Sequence, residues 1–352
     1  MNKRAPQRSR HHTHRHQGKW ILVDADLQHL WAIGTNLYPA HSASGSLDTI
    51  GRRGLLPALR AAVTTRHPID RTIPLLGSTW RVRAIPLLGV VSNTPIGVLG
   101  TYDTETTELS EPPVVGTWEM PITPPGPGQQ LHSHVSPQMY EAYGVPANKP
   151  RIATSQRIDT SQWKDDLLAL ADRPRSRAFF TMLLTDVEPE LKFFDFTAAP
   201  PGTSERYALR CTGRRFDDNG RIWLRGLTFR RPSTPVPDAP RHLEAVLALS
   251  RDPIWMIDSL YEVVYLSTDN LNTHDLKKFP TRALADMCHA DDLPALRAQL
   301  RWASTHLGRP SQPVLVRFAL EPGGWRQLEL QLAGVRIAGN ITGVWCRVSA
   351  AP

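Results

Sequence analysis

The chain has 352 residues, of which 41% are hydrophobic and 21% charged, and its formal net charge is +8. This composition is typical of soluble globular proteins and excludes a wholly disordered or membrane-embedded chain. At about 100 to 200 residues per domain, the length predicts two or three domains. Every apolar run is interrupted well before the ~20 residues that cross a bilayer, so we expect a cytoplasmic protein.

The first 18 residues form a basic segment that also contains several histidines: His11, His12, His14 and His16. A polar stretch of low complexity cannot pack a core, so residues 1–18 are predicted to be a disordered tail. We expect no metal site and no nucleic-acid partner here. Non-specific contact with a polyanion and metal binding by the histidines are the alternatives that the residues leave open.

Two proline-rich stretches, 111–113 and 232–240, are predicted to mark domain junctions, because proline removes backbone donors and stiffens the chain. They divide the chain into domains at 19–111, 112–231 and 241–352, with 232–240 as a linker.

The pieces resemble one another, which predicts internal repetition. The first opens with two apolar segments around an acidic turn, 20–24 and 28–33, and the third opens in the same way with 254–258 and 262–266. Each piece closes with two alternating segments around a turn containing Asn or Gly, which predicts a hairpin. The closing pairs are 78–86 with 96–102, 205–211 with 221–229, and 324–332 with 341–348.

Between the predicted hairpins lie three segments whose apolar residues have helical spacing, 55–63, 163–171 and 292–302. Asp291 and Asp292 are predicted to cap the last helix. The pattern predicts an α+β protein of three units, each an antiparallel sheet with flanking helices.

Some segments resemble PAS domains, sensory modules with a five-stranded antiparallel sheet and a helical flank. They are Gly116-Thr-Trp-Glu-Met, Val135 to Pro146, Asp217-Asp-Asn-Gly220 and Cys288-His-Ala-Asp-Asp-Leu-Pro294, with Ala290 where the family has proline. The chain as a whole is similar to mycobacterial and other actinobacterial proteins of linear PAS-GAF-PAS architecture. The resemblance implies PAS-like domains at 19–111 and 241–352 and a PAS- or GAF-like domain at 112–231, which sense or signal without catalytic activity.

Aromatic side chains and one histidine are candidates for lining a ligand pocket between sheet and helices: Trp163, Phe179, Trp255, His289 and Trp302. Core packing is the alternative for the aromatic residues, and a place at a helix start is the alternative for His289. None of the three cysteines lies in a flavin-attachment motif, and a lone histidine has no ligand spacing. We therefore expect no flavin attachment, no haem and no catalytic residues, and buried structural thiols at Cys211, Cys288 and Cys346.

These observations predict a non-enzymatic sensory adaptor that binds a small ligand, a protein partner, or both, and signals to a separate effector. The partner would be a signalling protein or a second copy that pairs with a sheet edge. A ligand-free scaffold is the alternative, and a nucleic-acid-associated protein that uses the basic tail is the third possibility.

Overall fold

The computed structural model describes residues 15–122, 132–145, 158–159, 168, 172–185, 191–200, 205–218, 220–231, 250, 252–259, 262–268, 275–276, 283–320, 323–338 and 341–351. Two compact units follow one another along the chain, Met1–Pro113 and Val114–Pro352. The boundary between them lies at the first proline-rich stretch. The second stretch, 232–240, lies outside the described residues, so the division into three domains stays a prediction.

The first unit contains one antiparallel sheet of six strands in the order β3-β2-β1-β6-β5-β4. The strands are β1 (Ile21–Asp24), β2 (His29–Ile33), β3 (Asn36–Ser42), β4 (Ile69–Leu75), β5 (Ser78–Leu88) and β6 (Pro95–Thr104). Its helices are α1 (Ala43–Ser46), a π-helical turn (Gly51–Leu55) and α2 (Leu56–Thr65).

Helix α2 covers one face of this first sheet. Leu56, Leu59 and Ala62 are buried in the same cluster as Val82 and Val98 from the central strands. The spacing of three residues between them gives α2 one apolar stripe, which packs against the alternating inward positions of the strands. The helix predicted at 55–63 is confirmed, preceded by the π-helical turn.

A second antiparallel sheet begins the second unit, with the strand order β10-β11-β12-β7-β8-β9. Its strands are β7 (Val115–Pro121), β8 (His132–Val135), β9 (Ile158–Asp159), β10 (Lys192–Ala198), β11 (Tyr207–Asp218) and β12 (Arg221–Arg230). Two helices accompany it among the described residues, α3 (Pro137–Ala142) and α4 (Arg173–Thr185).

Glycine makes room for the largest side chain in the core of the second sheet. Gly213 and Gly226 are cross-strand partners, and Gly226 also lies opposite Trp118 on β7. A Cβ at either glycine would collide with the fully buried indole ring of Trp118. The missing side chains therefore leave room for the tryptophan ring against two neighbouring strands.

The third sheet has five antiparallel strands in the order β14-β13-β17-β16-β15. They are β13 (Ile254–Asp258), β14 (Val263–Ser267), β15 (Val314–Ala319), β16 (Trp325–Ala338) and β17 (Ile341–Ala350). The accompanying helices are α5 (Leu284–Met287), a 3-10 turn (Ala290–Asp292) and α6 (Leu293–Thr305).

All three sheets share one arrangement: the first strand lies between the second and the last, and the last pairs with the one before it. The chain is therefore an α+β protein in which strands dominate the described residues. The predicted opening and closing hairpins are present, and 292–302 falls on α6 with its preceding turn. The helix predicted at 163–171 lies outside the described residues, except Leu168, which forms an isolated bridge with Ala198.

Helix α4 connects the two sheets of the second unit. It contacts β10 and β11 of the second sheet and also β16 and β17 of the third. Ala283, which directly precedes α5, is buried in the core cluster of the second sheet. These contacts explain why residues 114–352 form one compact unit. No helix in the described part of the chain is both long and apolar enough to cross a membrane.

Candidate functional site

Trp255 lies at the centre of the helix-covered face of the third sheet. It is on β13, opposite Ser267 on β14 and Cys346 on β17. Its side chain is 0% exposed, and its ring meets Phe318 edge to face with 5.3 Å between centroids. The indole Nε1 has no hydrogen-bond acceptor in the part of the chain that the structure describes.

An unpaired N–H in this position is energetically unfavourable. Leaving a buried donor without an acceptor costs about 1–3 kcal/mol. The buried cluster that contains Trp255 is apolar, and Val316, Leu332 and Val344 are among its members. We call this cluster the Trp255 core. Any molecule that entered it with a hydrogen-bond acceptor could remove the cost.

Two of the five predicted pocket residues belong to the Trp255 core. Trp302 on α6 is partly buried and packs against the cluster, and its ring stacks on His306 at 4.5 Å with 4° between the planes. Phe179 on α4 is buried in the separate core of the second sheet, where it stacks against Phe194. The structure therefore does not bring the predicted residues together in one site. Trp163 lies outside the described residues.

His289 begins the 3-10 turn before α6. Its Nδ1 accepts a hydrogen bond from the Asp291 N–H at 3.3 Å, and its ring lies 4.8 Å from that of Trp325. The side chain is therefore a turn cap, which agrees with the helix-start alternative, and it is not part of the Trp255 core.

The predicted capping role of Asp292 is wrong. Asp292 occupies the cap position of α6, but its side chain accepts no hydrogen bond from the helix. The carboxylate instead accepts from the guanidinium of Arg317 at 2.8 and 2.9 Å and from the Arg317 N–H at 2.8 Å. The hydrogen bonds from Arg317 lower the pKa of Asp292. Strand β15 is thereby attached to the start of α6, a long-range pairing with no local sequence signal.

The structure contains a buried polar cluster that the sequence did not indicate, formed by His16, Asp48 and Tyr102. The Tyr102 hydroxyl donates to Asp48 Oδ2 at 2.6 Å, and the Gly51 N–H donates to Asp48 Oδ1 at 2.9 Å. His16 was assigned to a solvated tail, but residues 15–18 form a turn and its side chain is only 3% exposed. The one available signal was a tyrosine within the apolar run of β6.

The environment of this cluster changes the pKa of each member. Burial raises the pKa of Asp48, but hydrogen bonds from Tyr102, Gly51 and His16 outweigh burial, so the pKa lies below its ordinary value. Burial and the bond to Asp48 raise the pKa of Tyr102. Burial lowers the pKa of His16, against the opposing charge of Asp48. At neutral pH the cluster therefore holds an ionised carboxylate, a neutral phenol and a neutral imidazole.

The three cysteines are buried thiols without disulfide bonds, as predicted. Burial raises the pKa of the Cys288 and Cys346 thiols, so both are protonated at neutral pH. Among the described residues, no three His, Cys, Asp or Glu side chains are grouped so that they could hold a metal ion.

No protein-family model matches the chain, and no curated protein matches it. Among solved structures, an uncharacterized protein from Mycobacterium tuberculosis is similar over 96% of this chain and 97% of its own, with 13% sequence identity and a TM-score of 0.65. A sensory box histidine kinase/response regulator from Burkholderia thailandensis covers 38% of this chain and 86% of its own, with 12% identity and a TM-score of 0.24. An RNA-binding light-oxygen-voltage receptor covers 67% of this chain and 95% of its own, with 9% identity and a TM-score of 0.24.

The first of these likenesses extends over nearly the whole chain and shows a shared fold. The predicted resemblance to a mycobacterial protein is confirmed at that level. The other two have TM-scores too low to carry an argument, so the PAS and GAF assignments stay predictions. The described chain has the same overall fold as an uncharacterized mycobacterial protein.

Proposed function

We propose that the chain is a cytoplasmic, non-enzymatic sensory adaptor built from three PAS- or GAF-like modules, and that the Trp255 core binds a small apolar molecule that carries a hydrogen-bond acceptor. The observation that carries this proposal is the fully buried Trp255 indole N–H, for which the described residues provide no acceptor. An acceptor on a ligand would remove a cost of about 1–3 kcal/mol while the apolar part packs against Leu332 and Val344.

The contacts of β17 offer a physical route from such a ligand to the rest of the second unit. Cys346, opposite Trp255, lies on β17, and β17 also contacts α4. Helix α4 in turn packs on the second sheet. A ligand that binds two arrangements of these strands with different affinity would shift the population of α4 positions. The change would pass to a separate effector.

The edge of the third sheet is the proposed contact for that effector or for a second copy. Strand β15 lies at the edge of its sheet, and Leu315 on it is an exposed large apolar side chain. An edge strand offers unpaired backbone groups to an added strand. The Arg317 N–H and carbonyl are already bonded to Asp292 and His289, so the contact would lie around Leu315.

Native mass spectrometry of the full chain, purified from an actinobacterial host, tests the ligand. We expect a stoichiometric adduct that leaves on denaturation. Trp255→Phe keeps an aromatic ring but removes the N–H donor. The lost hydrogen bond, about 0.5–1.5 kcal/mol, should weaken ligand retention by roughly 2- to 13-fold. Trp325→Phe is the matched control, because this tryptophan lies on the same sheet, is 49% exposed and packs against His289 outside the Trp255 core.

Three outcomes decide between the hypotheses. An adduct that Trp255→Phe retains less well than the wild type and that Trp325→Phe retains fully supports the proposed site. An adduct retained equally by both variants places the ligand elsewhere and overturns the site. Apo masses in all three proteins favour the ligand-free scaffold, in which the Trp255 core is simply packed.

A further inference from the structure

Residues 15–20, which we call the N-terminal strap, are attached to the sheet of the first unit by hydrogen bonds from both backbone and side chains. The Gly18 N–H donates to the Tyr102 carbonyl at 2.8 Å. The Gln17 side-chain amide donates to Asp103 Oδ1 at 2.6 Å. Both acceptors lie on β6, so the strap runs beside the end of a central strand.

His16 is the buried titratable residue of the strap. Its backbone N–H donates to Asp48 Oδ2 at 3.2 Å, and its Nδ1 accepts from the Asp48 N–H at 3.4 Å. Because Nδ1 is an acceptor, the neutral ring carries its proton on Nε2. Nε2 is buried and has no hydrogen-bond partner among the described residues.

A second proton on this ring has no favourable position. It would be added at Nδ1, where it would point at the Asp48 N–H, and it would place a charge in a site from which water is excluded. Asp48 Oδ2 lies 3.8 Å from Nδ1, beyond direct hydrogen-bond distance, and it already accepts from the Tyr102 hydroxyl. The charged and titratable groups around the strap are Arg15 and Lys19 on the strap itself, Asp48 before the π-helical turn, and Tyr102 and Asp103 on β6.

We propose that the strap is a proton-sensitive latch, which neutral His16 holds closed on Asp48 and which protonation of His16 releases. Arg15 and Lys19 repel the added charge and oppose the attraction of Asp48. The pKa of His16 is lowered chiefly by burial, which is the direction that this geometry requires.

The sign of the pH dependence follows from linkage. A histidine whose pKa is lower in the closed state than in the open state binds more protons when the latch opens. The closed state is therefore fully favoured above the ordinary histidine pKa of about 6.5 and is weakened as the pH falls below it.

Release of the strap would also affect the last residues of the first unit. Trp20, the last strap residue, donates its indole N–H to the Ser110 carbonyl at 3.0 Å, and Ser110 lies three residues before the end of the unit at Pro113. An open latch would loosen this contact. The latch thus connects acidification with the segment that leads out of the unit, independently of ligand binding at Trp255.

The exchange of the Gly18 amide hydrogen in the full chain, followed by NMR and corrected for intrinsic exchange, tests the latch. Between about pH 7.5 and about pH 5.5, we expect protection to fall by up to about tenfold in the wild-type protein. His16→Asn keeps a side-chain oxygen that can accept from the Asp48 N–H but does not titrate, so its protection should stay constant over the same range.

His29→Asn is the matched control. His29 lies in the same unit and contacts a carboxylate, Asp24 Oδ2, at 2.8 Å, within the hairpin of β1 and β2. This variant should keep the wild-type pH response. A flat wild-type profile, or a response that persists in His16→Asn, overturns the latch.

The wild-type ring provides a second measurement that does not depend on the folding of a variant. An NMR titration of the His16 ring should give a midpoint below that of free histidine, and a midpoint at or above it overturns the proposal.

Discussion

Two arginine–carboxylate pairs, one in each compact unit, have the same Nε-to-oxygen distance of 3.0 Å but very different surroundings. In the first unit, Arg81 donates to Asp70 through Nε at 3.0 Å and Nη2 at 2.9 Å, with 41% and 40% of the two side chains exposed. In the second unit, Arg225 donates through Nε to Glu119 at 3.0 Å, with 5% and 0% exposed. Both pairs cross neighbouring strands of a sheet.

Because the Nε-to-oxygen distances are equal, we expect burial, rather than distance, to set how much each pair contributes to stability. Water screens the exposed pair, and its net contribution is small. The buried pair has lost its hydration, which only mutual attraction and further contacts offset. Arg225 has such contacts: Nη2 lies 3.3 Å from Asp218, and the guanidinium lies over the rings of Phe216 and Trp223.

Of the variants considered, removal of one buried charge should lower the free energy of unfolding most. Glu119→Gln keeps the shape of the side chain but leaves Arg225 buried beside a neutral amide. We expect the second unit to lose about 3 kcal/mol, the lower end of the usual cost, because Asp218 remains nearby. Native-state hydrogen exchange at Thr117, on the same strand, measures this loss.

The double variant Glu119→Leu/Arg225→Leu is the control for this prediction. It removes both charges and should recover much of the stability lost in the single variant. Wild-type exchange in Glu119→Gln, or a double variant less stable than the single one, would contradict the assignment of the cost to an unpaired arginine.

The contrast between local and distant pairing also explains what the sequence could predict. The hairpin of β11 and β12 was predictable because alternating residues flank a local turn, in which Asp217 accepts from the Gly220 N–H at 2.8 Å. The pairing of Glu119 with Arg225 joins residues 106 positions apart, so no window of sequence contains both. The local sequence pattern predicted the strands and turns, but it could not predict which charged side chains form ion pairs.

The candidate site follows the same rule. Trp255 was predictable as a pocket or core residue because it lies in a short apolar strand. Its lack of an acceptor depends on which groups pack around it, and these come from β14, β15 and β17. The His16 cluster was missed because Asp48 and Tyr102 are distant in sequence from the basic tail. Composition described the tail as a whole and could not single out one histidine.

The stabilisation by Asp48 should lie between that of the buried Glu119–Arg225 pair and that of the exposed Asp70–Arg81 pair. Asp48 is largely buried, but its partners are neutral donors. Asp48→Asn removes the charge and at least one acceptor for the Tyr102 hydroxyl, the Gly51 N–H or the His16 N–H. We expect the first unit to lose about 2 kcal/mol near neutral pH, a typical value for hydrogen bonds to a charged group. Urea denaturation measures the loss, and Tyr102→Phe, which deletes one donor, should cost about half as much.

The pH dependence of the Asp48 variant sharpens this prediction. Because the pKa of Asp48 is lowered on folding, its stabilisation is fully present above the ordinary aspartate value and disappears as the pH falls toward the folded value. The difference between wild type and Asp48→Asn should therefore shrink on acidification below about pH 4. A constant difference would mean that the carboxylate charge has no part in the effect.

Asp70→Asn should change the stability of the protein least. The Arg81 hydrogen bond lowers the pKa of Asp70, but both side chains are well exposed, and water replaces the lost partner without leaving a buried charge. We expect an unfolding midpoint of the first unit that cannot be distinguished from that of the wild type, at low and at high salt. A clear loss at low salt that disappears at high salt would show that this exposed pair has more than local importance, and would weaken the rule that burial decides between the two pairs.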